Sequence, residues 1–398
     1  MLSCDLGETS ILNEVSIEKW VYGGDALARL PDGRVVLAPF VLPGERARID
    51  VKEAVHADLI EVLTPAAERV TPPCPHFGRC GGCQYQHAPY EFQLERKVEI
   101  LREQLRRVGK IAYQGTIEVV SGPPFGYRNR AQFHIAGERI GYMAARSHEL
   151  VALPGDCPIA SPRLNRALAA IRERLSDPRF PRFVRSIELF TNETEVQVNV
   201  LETDRPVARW FYEWCESTVA IEYGTGSGTF RVSPRSFFQV NRFLVDQLVE
   251  RALEGSAGES ALDLYSGVGL FAVPLARRFK TVTAVEAGSS TVRDLVVNAE
   301  RSGVEVRVEP SRVEDYLTKL TATPDFVLAD PPRAGLGKSV AGHLMRLAPA
   351  RLTIVSCDPA TLARDIAALV GYEIERLILI DLFPQTYHLE TVARLQKH

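Results

Sequence analysis

Apolar and polar residues alternate in short runs from residue 11 to 64, through VSIEKWVYGG, ARLPDGRVVLAPFVLPGE, RARIDVKEAV and ADLIEVLTP. A period of two, broken by Gly and Pro, predicts short strands with one buried face. Several such strands in a row predict a small β-barrel of the oligonucleotide-binding type. TPPCPH ends the run, and a Cys- and Gly-rich loop follows through Cys83. YEFQLERKVEILREQLRRVG then reads as a helix, with Phe92, Val98, Leu101, Leu105 and Val108 near one face. Alternation returns over 117–157 and 184–223. Between these stretches ASPRLNRALAAIRERL is helical, with Ser161 as its N-cap.

From about Phe230 the rhythm changes. A helix at 241–253 is followed by strand and helix in strict alternation: ESALDLYSG, LFAVPLARRF, TVTAVEA, SSTVRDLVVNAERSG, VEVRVEP, VEDYLTKL, DFVLADPP, a further helix, and LTIVSCDP. That order predicts a parallel sheet covered on both faces. The final LILIDLFPQTYHLETVARLQK reads as an antiparallel pair at the sheet edge. The fold class expected is therefore α/β. A barrel at 9–66 precedes a central α+β domain with the Cys loop at 67–229 and a Rossmann-like domain at 230–398.

Composition narrows the class. The chain has 398 residues, 45% hydrophobic and 24% charged, enough to give each domain a core. No apolar run approaches the roughly 20 residues of a membrane span. MLSCDLGETS lacks the basic and apolar regions of a signal peptide, so a cytoplasmic protein is expected. The net charge of -3 is not that of a chain coated in nucleic acid, although local basic surface remains open. The arginines between Arg163 and Arg185 are one candidate, either as a solvated face or as a patch for RNA. Seven cysteines in a reducing compartment point to metal or catalysis, not to a disulfide framework.

The candidate chemistry sits at strand ends. DLYSGVGLF puts Asp263 and Tyr265 at the end of a strand and Gly267 and Gly269 in the turn, where open α/β sheets bind ligands. Glu286 ends the next strand and suits ribose hydroxyls. GVGLFA also reads as a dinucleotide fingerprint, which keeps a nicotinamide oxidoreductase in view. The Asp263 strand end together with DPPR, which carries Asp330, looks instead like the S-adenosylmethionine methyltransferase pattern. Cys357, in SCDP, leaves the fifth parallel strand. Glu390, in HLETV, starts the last one. A cysteine and a carboxylate beside a methyl donor suggest covalent addition followed by proton abstraction. CPHFGRCGGCQYQH spaces Cys74, Cys80 and Cys83 as C-x5-C-x2-C. That is a metal set needing a fourth ligand, for zinc or an iron–sulfur cluster. Cys157 is the best candidate for it, and His76 and His87 could serve zinc.

Taken together, FFQVN, DLYSGVG, the strand-end Glu286, DPPRAG, SCDP and HLETV, in that order, resemble the RNA uracil-5-methyltransferase family over essentially the whole chain. The resemblance implies that Gln239, Tyr265, Glu286 and Asp330 bind S-adenosyl-L-methionine, that Cys357 is the nucleophile and that Glu390 is the base. It implies a TRAM domain for the barrel and a [4Fe-4S] cluster on Cys74, Cys80, Cys83 and Cys157. Ser266 replaces a cysteine often seen in the Gly motif. Barrel plus cluster is similar to the branch that modifies 23S rRNA, and tRNA is the alternative substrate. Phe125, Tyr127, Arg128, Arg130 and Phe133 interleave aromatics with arginines, which suits RNA or an ordinary amphipathic strand. A monomer is expected. The rivals are a cytosine-5 RNA methyltransferase, disfavoured because Ser356 and not proline precedes Cys357, and a non-catalytic RNA-binding or RNA-folding factor.

Overall fold

The computed structural model describes residues 12–52 and 55–398. MLSCDLGETS, with Cys4 and the start of the expected barrel, lies outside the described residues. The chain divides into two compact units. One holds the residues up to Ile100 together with Gln385–Tyr387, and the other holds the remainder.

In the first unit the alternating runs become β1 (Leu12–Trp20), β2 (Asp25–Arg29), β3 (Val35–Pro39), β4 (Arg46–Val51) and β5 (Ala57–Thr64). They form an antiparallel sheet in the order β3-β2-β1-β4-β5. An irregularity between Ile17 and Lys19 bends β1, whose first half pairs with β4 and whose second half pairs with β2. The sheet curls until its edges meet, where Leu37 N–H donates to the Val55 carbonyl (2.7 Å). Inside, Trp20 stacks on Tyr85 at 3.9 Å and meets Phe92 edge-on. The Cys-rich loop thus packs on the strands through Tyr85.

Glu45 is fully buried in this unit. It accepts from Leu42 N–H (2.7 Å), Ala66 N–H (3.2 Å) and the Arg69 guanidinium (2.5 and 2.8 Å). Burial pulls its pKa up, but Arg69 and the two amides outweigh that and hold it below the ordinary carboxylate range. This stabilisation is present at neutral pH and is lost as pH falls through the lowered pKa.

The helix α1 (Tyr90–Arg107) begins in the first unit and continues into the second. Its buried line is Gln93, Lys97, Ile100, Leu101 and Leu105, whereas Val108 is exposed. The expected apolar face is therefore shifted by two buried polar residues.

In the second unit come β6 (Ile117–Val120), β7 (Arg130–Ala136), β8 (Arg139–Met143), β9 (Leu150–Ala152), α2 (Pro162–Arg174), β10 (Val184–Thr191), β11 (Val196–Thr203), α3 (Arg209–Trp214), β12 (Ile221–Thr225) and β13 (Gly228–Val232). Ser161 caps α2 as expected, its hydroxyl accepting from Leu164 N–H at 3.3 Å. β7 to β11 form one antiparallel sheet, and β12 and β13 form a hairpin. The rest is α4 (Val245–Leu253), β14 (Gly258–Leu264), α5 (Ala272–Leu275), β15 (Phe279–Glu286), α6 (Ser289–Arg301), β16 (Arg307–Pro310), α7 (Val313–Lys319), β17 (Phe326–Ala329), α8 (Gly337–Leu347), β18 (Arg351–Ser356), α9 (Pro359–Ala368), β19 (Tyr372–Ile380) and β20 (Glu390–Lys397).

The large sheet has eight strands in the order β16-β15-β14-β17-β18-β20-β19-β6. β14 to β18 are parallel, and β20 enters antiparallel between β18 and β19. The last two strands pair antiparallel as expected but are not the edge. β6, from far upstream, pairs parallel with β19 outside them. Four residues of strand, IEVV, are too few to announce which sheet they join.

We predict that Arg69→Ala, which strips a buried carboxylate of its counter-charge, lowers the stability of the first unit by on the order of 3 kcal/mol. Chemical denaturation followed by tryptophan fluorescence, with Trp20 as reporter, checks this.

Candidate active site

Parallel pairing places the carboxyl ends of β14, β15, β17 and β18 along one rim of the sheet. Tyr265 follows β14, Glu286 ends β15, Asp330 follows β17 and Cys357 follows β18. β20 runs the other way, so its first residue, Glu390, arrives at the same rim. Ser356 pairs with Thr391, and the same register sets position 357 opposite position 390. A cavity of about 690 Å³ opens there, lined by Gln239, Tyr265, Glu286, Asp330, Cys357 and Glu390 among others. The structure thus brings together all six catalytic and cofactor candidates. The volume is that of a small-molecule site.

The turn after β14 is tightly built. Tyr265 (φ 61°) and Gly269 (φ 94°) are left-handed. A Cβ on Gly269 would lie 2.5 Å from the Leu295 side chain, which would have to shift, and the left-handed φ itself favours glycine. Glu286 accepts from Gly267 N–H (3.0 Å) and Gly288 N–H (2.7 Å), one bond to each carboxylate oxygen. Those bonds fix its orientation in the cavity. Ser266, in the place of the family's frequent cysteine, is buried and donates to the Asp263 carbonyl (2.8 Å), so the turn keeps its shape.

Sequence reasoning missed what holds Gln239. The loop carrying Phe237, Phe238 and Gln239 is tied to α6 by Asp294, which is buried. Asp294 accepts from Ser233 N–H (2.8 Å), the Ser233 hydroxyl (2.6 Å) and the Ser236 hydroxyl (2.7 Å). Asn298 adds bonds to Arg231 and to the Val268 carbonyl. Polar residues on a helix read as exposed unless their partners, some sixty positions upstream, are known.

The site gathers acids in a dry place. Asp263 is fully buried, and burial, then Asp330 and Glu286, push its carboxyl well above the usual range. Burial lifts Asp330 to about 7. Glu390 is raised by burial and by Asp330. The Cys357 thiol is pushed up to about 12 by burial and then by Glu390, while Arg333 opposes the shift. At rest the cysteine is a thiol. Cys215, near Trp214, is raised to about 11 by burial and does not line this cavity.

The interleaved segment at 125–133 is mostly internal. Tyr127, Arg130 and Phe133 are buried. Arg130 donates to the Ser236 carbonyl (2.8 Å) and to Glu188 (2.8 Å) and lies over the Phe237 ring. Arg128 alone of that segment lines the cavity. Of the arginines at 163–185, Arg179 pairs with Asp177 and Arg185 with Asp204, and Arg174 and Arg179 lie over Trp214.

Cys74, Cys80 and Cys83 share one loop of the first unit, and Cys157 lies in the second. Cys80 and Cys83 are buried, and Gly82 N–H donates to the Cys80 sulfur at 3.4 Å. Three thiols in one tight loop suit a thiophilic metal or cluster in donor chemistry. Among the described residues, however, no three His, Cys, Asp or Glu side chains are gathered as a metal set. His87, buried between Phe77 and Trp20, is kept neutral by burial and by Arg69, its pKa lowered to about 4.

Three carboxylates and a cysteine at one rim of a Rossmann-like sheet, around a cavity of small-molecule size, have the form of an enzyme site, and similarity to known proteins narrows it. The family model for tRNA (uracil-5-)-methyltransferases matches residues 306–398. The 23S rRNA (uracil(1939)-C(5))-methyltransferase RlmD of Halomonas elongata is 33% identical, over 96% of this chain and 89% of its own. RlmD of Cronobacter sakazakii is 34% identical, over 94% of each chain. The crystal structure of Pyrococcus abyssi tRNA (uracil-54, C5)-methyltransferase, in complex with S-adenosyl-L-homocysteine, matches with a TM-score of 0.78 at 26% identity, covering 96% of this chain and 99% of that one. The chain belongs to the RNA uracil-5-methyltransferase family. No helix among the described residues is long and apolar enough to cross a membrane.

Raised carboxyl pKa values in the folded state favour protonation, so stability falls as pH rises through the window from the ordinary value of 3.8 to about 7 at Asp330. We predict that Asp330→Asn stabilises the cofactor-free protein above pH 7 by on the order of 1 kcal/mol, or a few degrees in Tm, with the difference vanishing near pH 4. Paired melting curves across that range check it.

Proposed function

We propose that this enzyme transfers a methyl group from S-adenosyl-L-methionine to carbon 5 of a uridine in 23S rRNA. The observation that carries the reading is the β18–β20 register, which sets position 357 opposite position 390 at the rim where Glu286 and Asp330 also stand. Gln239, Tyr265, Glu286 and Asp330 hold the methyl donor, which supplies an electrophilic methyl when bound. Glu286, oriented by two backbone amides, takes the ribose hydroxyls.

Cys357 loses its proton to solvent, helped by Arg333, and its sulfur bonds carbon 6 of the flipped uracil. The electrons displaced make carbon 5 enolate-like, and carbon 5 takes the methyl as the methyl–sulfur bond breaks. Glu390 as carboxylate then removes the carbon 5 proton. The electrons of that C–H bond restore the double bond, and the Cys357 sulfur leaves carbon 6 as thiolate.

We read β1–β5 as a TRAM-type oligonucleotide-binding barrel that serves the RNA, within the three-domain division at 9–66, 67–229 and 230–398. We assign a [4Fe-4S] cluster to Cys74, Cys80, Cys83 and Cys157, with a structural role. The enzyme acts as a cytoplasmic monomer. The full-length similarity to the RlmD enzymes supports rRNA. The fold of the Pyrococcus abyssi enzyme keeps tRNA as the second reading.

Nucleoside mass spectrometry tests the reaction, with S-adenosylmethionine deuterated in the methyl group and unmodified 23S rRNA or tRNA in separate reactions. Labelled 5-methyluridine in 23S rRNA, absent with Cys357→Ala, is the expected result. Label only in tRNA overturns the substrate, and no labelled uridine in either overturns the reaction. Because the thiol and Glu390 must both be deprotonated, kcat/KM is expected to rise with pH through and above neutrality, not to plateau at the ordinary carboxylate value. Anaerobically purified protein is expected to hold about four irons and four sulfides per chain with a broad visible absorbance, lost in Cys80→Ser. Stoichiometric zinc would overturn the cluster assignment.

A further inference from the structure

The connection from β19 to β20 leaves the sheet it joins. β19 ends at Ile380 and β20 starts at Glu390, yet Gln385–Tyr387 belong to the first compact unit. A buried amide on α1 holds them there. Gln93 is fully buried. Its Oε1 accepts from Gln385 N–H (3.1 Å). Its Nε2 donates to Gln385 Oε1 (3.0 Å) and to the carbonyls of Tyr85 (3.1 Å) and Ala88 (2.9 Å). The Gln385 carbonyl accepts from Gln84 N–H (2.9 Å) and Tyr85 N–H (3.0 Å), and Gln84 Oε1 accepts from Tyr387 N–H (3.4 Å).

Both backbone groups of Gln385 and its side-chain carbonyl are therefore satisfied inside the first unit. The residue stands at φ 67°, a left-handed conformation that a non-glycine residue keeps only when its surroundings impose it. Three residues further on, His388 lines the reaction cavity, and two more bring Glu390. A proton abstractor must meet its proton within hydrogen-bond reach; the sheet holds the Glu390 backbone opposite Ile380, and this turn fixes the path of the chain that enters it.

We propose that Gln93 is a positioning residue for proton abstraction: its carboxamide fixes the Gln385–Tyr387 turn, and the turn sets the reach of Glu390 to carbon 5. The proposal rests on the reading of Glu390 as the base. A loosened turn leaves cofactor binding and the first two bond changes in place and stalls the last one, so the methylated uracil stays bonded to Cys357.

The test uses the full-length protein, saturating S-adenosylmethionine and radiolabelled substrate RNA. Products are resolved on a denaturing gel for the covalent RNA–protein band and by chromatography for released 5-methyluridine. Glu390→Gln is the control that traps the adduct. Gln93→Leu is expected to bind S-adenosylmethionine within about twofold of wild type, to release product about 10- to 100-fold more slowly and to accumulate the band. Gln385→Val leaves the Gln93 side chain in place while opposing the left-handed backbone, and is expected to do the same. Gln385→Gly also loses the side-chain amide but accepts that backbone, so it falls between Val and wild type. Should Gln93→Leu fail to fold, the Val and Gly pair gives the same readout.

Wild-type release by Gln93→Leu or Gln385→Val overturns the proposal. So does slow release without the band where Glu390→Gln shows one. No band in Glu390→Gln itself overturns the assignment of Glu390 instead.

Discussion

The site depends on one strand running against its neighbours. Five parallel strands deliver their carboxyl ends to one rim, and by themselves they would bring only residues that follow strands. β20 enters antiparallel between β18 and β19, so a residue that begins a strand reaches the same rim. The pairing of Ser356 with Thr391 makes this a matter of register. A slip of one residue would turn the whole of β20 to its other face. Thr391, Val392, Ala393 and Leu395 are buried, as are their partners Ser356, Val355, Ile354 and Leu352 on β18, and that packing resists the slip.

The same arrangement is electrostatically unfavourable. Asp263, Asp330 and Glu390 lie in a site whose burial lifts each of them, and the Cys357 thiol rises with them. Carboxyls raised in this way weaken the fold at neutral pH. The opposing stabilisation comes from satisfied polar groups around the rim: Asp294 and Asn298 holding the loop at 233–239, and the two amides on Glu286. Two left-handed non-glycine residues, Tyr265 and Arg235, line the cavity itself. Their strain persists because those neighbours over-determine the backbone.

How much of this was legible follows from what each residue's role depends on. Tyr265, Glu286, Asp330, Cys357 and Glu390 are readable because each sits at a junction of apolar strand and polar turn. Period and punctuation mark such junctions, and strand alternation aligns them. β6 was not readable as part of that sheet, since its pairing with β19 joins Ile117 to Leu377 across most of the chain. Tyr127 and Arg130 fit either an RNA-facing segment or an ordinary amphipathic strand, and Tyr127 donates to the Pro384 carbonyl (3.0 Å) and Arg130 to the Ser236 carbonyl. Hydropathy counts an arginine as exposed, and only a distant acceptor makes it otherwise.

Gln93 is the extreme of that kind. Its partner Gln385 lies 292 positions away, and periodicity puts Phe92 on the buried face beside it. Phe92 is only half-buried, and Gln93 is buried fully. A glutamine is tolerated there because its oxygen and both amide hydrogens find partners, and an unsatisfied buried amide would be unfavourable. An apolar side chain could fill the same volume, but it could not hold a backbone N–H at 3.1 Å or oppose the strain at φ 67°. Packing alone would leave the turn free to choose another path. A directional polar contact selects one, and the chain beyond it, five residues long to Glu390, has little length over which to forget that choice.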